Sequence, residues 1–111
     1  MSDVDNTALS NYVNYSKVSV LRQLYKSLNK LKIAAEAGNT TATCVYIDLK
    51  DGLSQLYGNQ KDYIQWVLID GLNMWEAGNM TNRSTSGVST SIDHALAKIS
   101  KYLIEDGQDN E

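Results

Sequence analysis

The sequence predicts an all-α fold, a helical bundle that ends in a helix-turn-helix. Three observations carry the prediction. The 111 residues include no proline, and the long stretches are filled with Leu, Ile, Ala, Lys and Gln, which suit helices. Apolar side chains recur at spacings of three and four along most of the chain. The closely spaced Gly, Pro and Asn-Gly turns of a β-rich domain are missing. An apolar fraction of 42% is ordinary for a globular chain, and the length supports one modest core.

Residues 1–14 read as a disordered N-terminus, with Ser10 or Asn14 placed to cap the first helix. Residues 15–37 read as one long helix, in which Leu21, Leu24, Leu28, Leu31 and Ala35 line one side. That stripe suits packing within one chain. It also has the spacing of a coiled-coil seam, which admits a homodimer. Gly38-Asn39 then ends the helix, since both residues tolerate a left-handed C-cap.

A second helix is expected from about Thr43 to Leu56, with Val45, Leu49, Leu53 and Leu56 on one face. Asp48 and Asp51 lie off that face, and Gly52 weakens the middle. Tyr57-Gly58-Asn59 marks a break. Residues 59–70 form a third helical pattern, with Tyr63, Trp66 and Val67 along one side and Ile64 and Leu68 adjoining. Gly71 closes it. Leu72 to Met80 suits a short fourth helix with Asn73 as N-cap and Glu76 at capping-box spacing. Thr81 to Ser84 is a turn. A fifth helix, from about Thr85 to Ile104, buries Val88, Ile92, Ala95, Leu96, Ile99 and Leu103. The organisation is thus a disordered start (1–14), a two-helix part (15–56), a helix-turn-helix domain (57–104) and an acidic tail (105–111).

A short helix, a tight turn and a longer helix, in that order, are the signature of a helix-turn-helix. Two steric requirements support it. Gly78 stands where the crossing second helix presses close, and Asn82 stands in the turn, where positive φ is expected and Asn accepts it.

From Leu56 to Leu103 the chain resembles the region-four domain of bacterial sigma factors, over about 48 of 111 residues and without a gap. That family's pattern opens with Leu-Thr and a Gln three residues after the Thr; here stand Leu56, Tyr57 in place of Thr, and Gln60. An acid with Gly-Leu comes next, as Asp70-Gly71-Leu72. Glu76-Ala77-Gly78 matches the Glu-aliphatic-Ala core with Gly for Ala, and Asn82 replaces the turn Gly. Ser84 and Val88 head the recognition helix, and Ile92, Ala95, Leu96, Ile99 and Leu103 continue its apolar pattern. The whole chain is similar in outline to small sigma-like late-gene regulators of phages of Gram-positive bacteria. The resemblance implies a sequence-specific DNA-binding transcription regulator, with double-stranded DNA and RNA polymerase as partners.

In such a unit the recognition helix enters the major groove by its N-terminal turns. Ser84, Thr85, Ser86, Ser89, Thr90 and Asp93 are then the candidates to face DNA, where hydroxyls contact bases or phosphates and Asp93 accepts from cytosine N4. Arg83, His94, Lys98 and Lys101 are the candidate phosphate contacts. The departure from the family is one of charge. Residues 84–94 hold no Lys or Arg, and residues 56–104 carry four basic and four acidic groups. The fold can therefore also serve as a protein-binding module, acting on polymerase or another regulator without binding DNA. An auxiliary basic face, Arg22, Lys26 and Lys30, offers the charge that the recognition helix lacks.

The net charge of −3 reflects the tail, whose residues 105–111 carry four acids and no base, leaving +1 over residues 1–104. A single cysteine, Cys44, excludes an internal disulfide and a thiolate zinc site. No catalytic residues, metal site or cofactor are expected: His94 is the lone histidine, and no phosphate loop or nucleophile elbow is present. The polar, acidic start lacks the form of a signal peptide, no stretch reaches the apolar length of a membrane span, and a cytoplasmic protein is expected.

Overall fold

Asn14 is the first residue that the computed structural model describes; the description runs to residue 109, with side chains to 105. The expected disorder of residues 1–13 and the end of the acidic tail lie outside the described residues. The Asn14 side chain accepts from the backbone N–H of Ser16 at 3.0 Å, and the Asn14 carbonyl accepts from Lys17. This turn delays the first helix from the expected Tyr15 to Val18. Tyr15 is used differently: its hydroxyl donates to Asp48 at 2.7 Å, and its carbonyl accepts from the Ser100 hydroxyl at 2.5 Å.

The long helix expected over 15–37 is two helices, α1 (Val18–Lys26) and α2 (Leu28–Glu36). The N-terminal part therefore holds three helices rather than two. Ser27 interrupts the run with φ −101° and ψ 12°, and its N–H is shared between the carbonyls of Gln23 and Leu24. The break re-aims the apolar faces. Leu21, Tyr25 and Leu28 are buried, whereas Leu24 and Leu31 of the expected stripe are only half-buried. Gly38, at φ 99°, lets the chain turn back. Asn39 then caps α3 (Thr40–Ser54), accepting from Ala42 N–H at 2.9 Å. Helices α2 and α3 pack along one another.

The buried face of α3 is the expected one, Val45, Leu49 and Leu53, with Leu56 buried just beyond its end. Gly52 has a packing reason. A Cβ there would lie 2.7 Å from Cγ2 of Ile99 and 3.2 Å from the hydroxyl of Tyr25.

Next comes α4 (Asn59–Tyr63), which runs directly into a π-helix over Ile64–Ile69. The bond from Asp70 N–H to the Gln65 carbonyl at 2.8 Å shows the widened turn, and beyond its end Leu72 N–H reaches back across Gly71 to the Trp66 carbonyl at 2.8 Å. The wider repeat shifts the buried face. Tyr63, Ile64 and Leu68 go inside, and Trp66 and Val67 are half-buried at the edge. The Trp66 ring meets that of Tyr63 edge-on, with centroids 6.2 Å apart.

Helix α5 (Met74–Thr81) begins at Asn73, whose side chain accepts from Glu76 N–H at 2.8 Å, as its spacing predicts. Helix α6 (Thr85–Asp109) continues past the expected end at Ile104. Its stripe Val88, Ile92, Ala95, Leu96 and Ile99 has no solvent exposure. One cluster joins that stripe to Leu21, Tyr25, Leu49 and Tyr63, so both halves of the chain share a core. Among the described residues there is no strand, and no helix is long and apolar enough to cross a membrane.

Candidate nucleic-acid interface

The α5–α6 pair is built around its turn. Arg83 N–H donates to the Gly78 carbonyl at 2.7 Å and Asn82 N–H to that of Asn79 at 3.4 Å. These are the two bonds of a Schellman motif, which requires a left-handed residue at its pivot. Asn82 supplies it, at φ 59° and ψ 44°. It is the non-glycine residue with positive φ among those described. The motif folds the Arg83 carbonyl back over α5, so a Cβ on Gly78 would collide with that oxygen. Gly78 is thus set by the turn more than by the second helix, since Val88 Cγ2 stands off at 3.5 Å. On the inner side, Thr81 Oγ1 donates to the Ala77 carbonyl at 3.0 Å and meets the Tyr63 hydroxyl at 2.5 Å. Ser84 then caps α6, its hydroxyl accepting from Gly87 N–H at 3.0 Å.

The geometry leaves a hydroxyl-rich end exposed. Arg83, Ser84, Thr85, Ser86 and Thr90 are exposed, and Ser89 is half-buried. Further along α6, Asp93, His94, Lys98 and Lys101 are exposed. The charged members of this set differ in their surroundings. Lys98 Nζ lies 4.7 Å above the ring of Tyr57, within the range of a cation–π contact. Lys101 reaches Glu105 one turn on at 3.9 Å. Asp93 is bonded to Arg22 of α1.

The basic residues of the N-terminal half are not one row. Arg22 and Lys26 belong to α1, Lys30 to α2, and the Ser27 break separates them. Lys26 and Lys30 are exposed, whereas Arg22 is partly covered and turned to α6. Its approach follows from the packing of α1 on α6, helices on which Leu21, Tyr25, Ile92 and Leu96 are all fully buried. An open depression on the outer side of α1 is lined by Ser19, Val20, Arg22, Gln23, Leu24 and Ser27.

Two features escaped sequence reasoning. Arg22 and Asp93 are 71 positions apart, and no local pattern pairs them. Lys98 lies over the ring of Tyr57 from a different helix, and nothing in the neighbourhood of Tyr57 signals a lysine there. Trp75 and Met80 leave large apolar surface on α5, at 65% and 60% exposure. Among the described residues no three His, Cys, Asp or Glu side chains gather into a set able to hold a metal ion. No family model, curated protein or solved structure matches this chain.

Proposed function

We propose that the chain is a sequence-specific DNA-binding transcription regulator of sigma-like kind. In this reading α5, the Asn82 turn and α6 form a helix-turn-helix of region-four type. The observation that carries it is the Schellman turn at Asn82 above Gly78, which fixes a short helix against a longer one and leaves Thr85, Ser86 and Thr90 exposed. The N-terminal turns of α6 enter the major groove, where Ser89 and Thr90 read base edges. The exposed α6 N-terminus favours a phosphate, and Arg83, Lys98 and Lys101 add charge beside it. The outer face of α5 is left for RNA polymerase. Gel shifts at low salt with host and phage promoter fragments, with and without polymerase, test the reading. Retarded, sequence-dependent bands support it, and absence of binding under every condition overturns it.

A second reading, a protein-binding module on the same fold, is favoured by Trp75 and Met80. Two large apolar side chains exposed on one short helix suit a protein partner. Purified RNA polymerase immobilised on a sensor surface separates the two. Polymerase binding that is lost in Trp75→Ala, without any DNA binding, selects the module.

A further inference from the structure

On the DNA-binding reading, on which this inference rests, Asp93 is out of place. It puts a carboxylate on the exposed side of α6, one turn beyond Ser89 and Thr90. An anion there opposes phosphate. The contact from Arg22 changes that balance. The guanidinium comes from a separate helix, and its aim follows from the packing of α1 on α6, with Leu21 and Tyr25 buried on one and Ile92 and Leu96 on the other. The pair is not sunk in the core: the Asp93 side chain is 56% exposed. Ion pairs so placed add little to stability. The effect of this pair is therefore on the field at the surface.

We propose that Arg22 is a positioning residue that neutralises Asp93 and so keeps the reading face of α6 open to the phosphate backbone. Arg22 acts through Asp93, and its own charge is spent in the protein. The arrangement ties the N-terminal half to recognition: the first helix sets the electrostatic state of the helix that reads the sequence.

The experiment compares four full-length proteins, the parent, Arg22→Gln, Asp93→Asn and the double variant, on a mixed-sequence duplex across a salt series. Circular dichroism checks that each is folded. Arg22→Gln uncovers the carboxylate and is expected to weaken binding about tenfold at low salt. Asp93→Asn frees the guanidinium, and is expected to tighten binding and steepen the salt slope by about 1. The decisive member is the double variant, expected within about twofold of the parent, as coupled neighbours require. A double variant as weak as Arg22→Gln means that Arg22 itself contacts phosphate, and overturns the proposal. Four equal affinities overturn it as well. A parent that binds no duplex at any salt removes the DNA-binding reading itself, a result distinct from the other two.

Discussion

The hydroxyl of Tyr25 donates to the backbone carbonyl of Leu49 at 2.7 Å, joining α1 to α3 between two residues without solvent exposure. The bond lies beside Gly52 and Ile99, where three helices meet. Tyr25→Phe keeps the ring and removes the bond. A carbonyl has a second lone pair, so the expected loss is about 1 kcal/mol. Tyr25→Ala empties the junction, with an expected loss of roughly 3–5 kcal/mol. Urea denaturation of the two variants measures both.

Gly78 tolerates no larger side chain, whereas Asn82 tolerates exchange to glycine. Alanine at 78 drives a methyl into a backbone oxygen held by the turn, and overpacking of this kind costs about 1–3 kcal/mol. Glycine at 82 accepts the left-handed backbone and leaves the melting temperature close to that of the parent. Valine at 82 is strained there and lowers stability by about 1–2 kcal/mol. Thermal melts followed by circular dichroism rank the three.

Asp48 links pH to stability. Burial pushes its carboxyl above the ordinary range, partly offset by the hydrogen bond from Tyr15. A raised value means that the folded state holds the proton more tightly. The contribution to stability is complete below the ordinary carboxyl value and is lost as pH rises through the folded one. Asp48→Asn keeps an acceptor for Tyr15 and abolishes this dependence. The variant is expected to match or exceed the parent at neutral pH, with the difference closing in acid. Urea midpoints measured across the carboxyl titration range check it.

Two phenols are predicted to resist alkali. Burial holds Tyr15 and Tyr25 above the usual phenol range, and for Tyr15 the Asp48 carboxylate adds to the effect. Their contribution to stability is present below the ordinary phenol value and disappears as pH climbs through the folded values. Ultraviolet titration of the parent beside Tyr15→Phe and Tyr25→Phe should show that each removed phenol ionised above the usual phenol range, together with loss of helical signal. A removed phenol that titrated in the usual range while the helices persisted would contradict the prediction.

On a duplex, Lys98→Ala with Lys101→Ala is expected to weaken binding to all sequences about equally. Each lost phosphate contact lowers the salt slope by about 1. Changes at Ser89 or Thr90 are expected instead to alter sequence preference. A double variant with an unchanged salt slope marks both lysines as bystanders.

The features legible in the sequence are those with a local cause. The all-helical class, the Asn73 cap, the left-handed Asn82 and the stripe from Val88 to Ile99 arise from backbone preference or from periodicity within one helix. The illegible features depend on distant partners. Ser27 is neither Gly nor Pro, and the break there falls between Tyr25 and Leu28, both of them buried. The π-helix at Ile64–Ile69 likewise moves Trp66 to the edge, against a pattern that fits an α-helix equally well. At the candidate interface, the exposure of Thr85 and Thr90 was readable from helix phase. The pairing of Arg22 with Asp93, and of Lys98 with Tyr57, required the tertiary fold.

The shared core limits how such a chain can be rearranged. Leu21 and Tyr25 are buried in the same cluster as Ile92 and Ile99, so the C-terminal helices are not a detachable cassette. Recombination that grafts residues 57–104 onto another protein would strip the buried faces of Ile92, Leu96 and Ile99 of their cover. Point substitution on the outer face of α6 leaves that cover in place. Exchange of whole modules is available only to chains that carry the N-terminal helices with them.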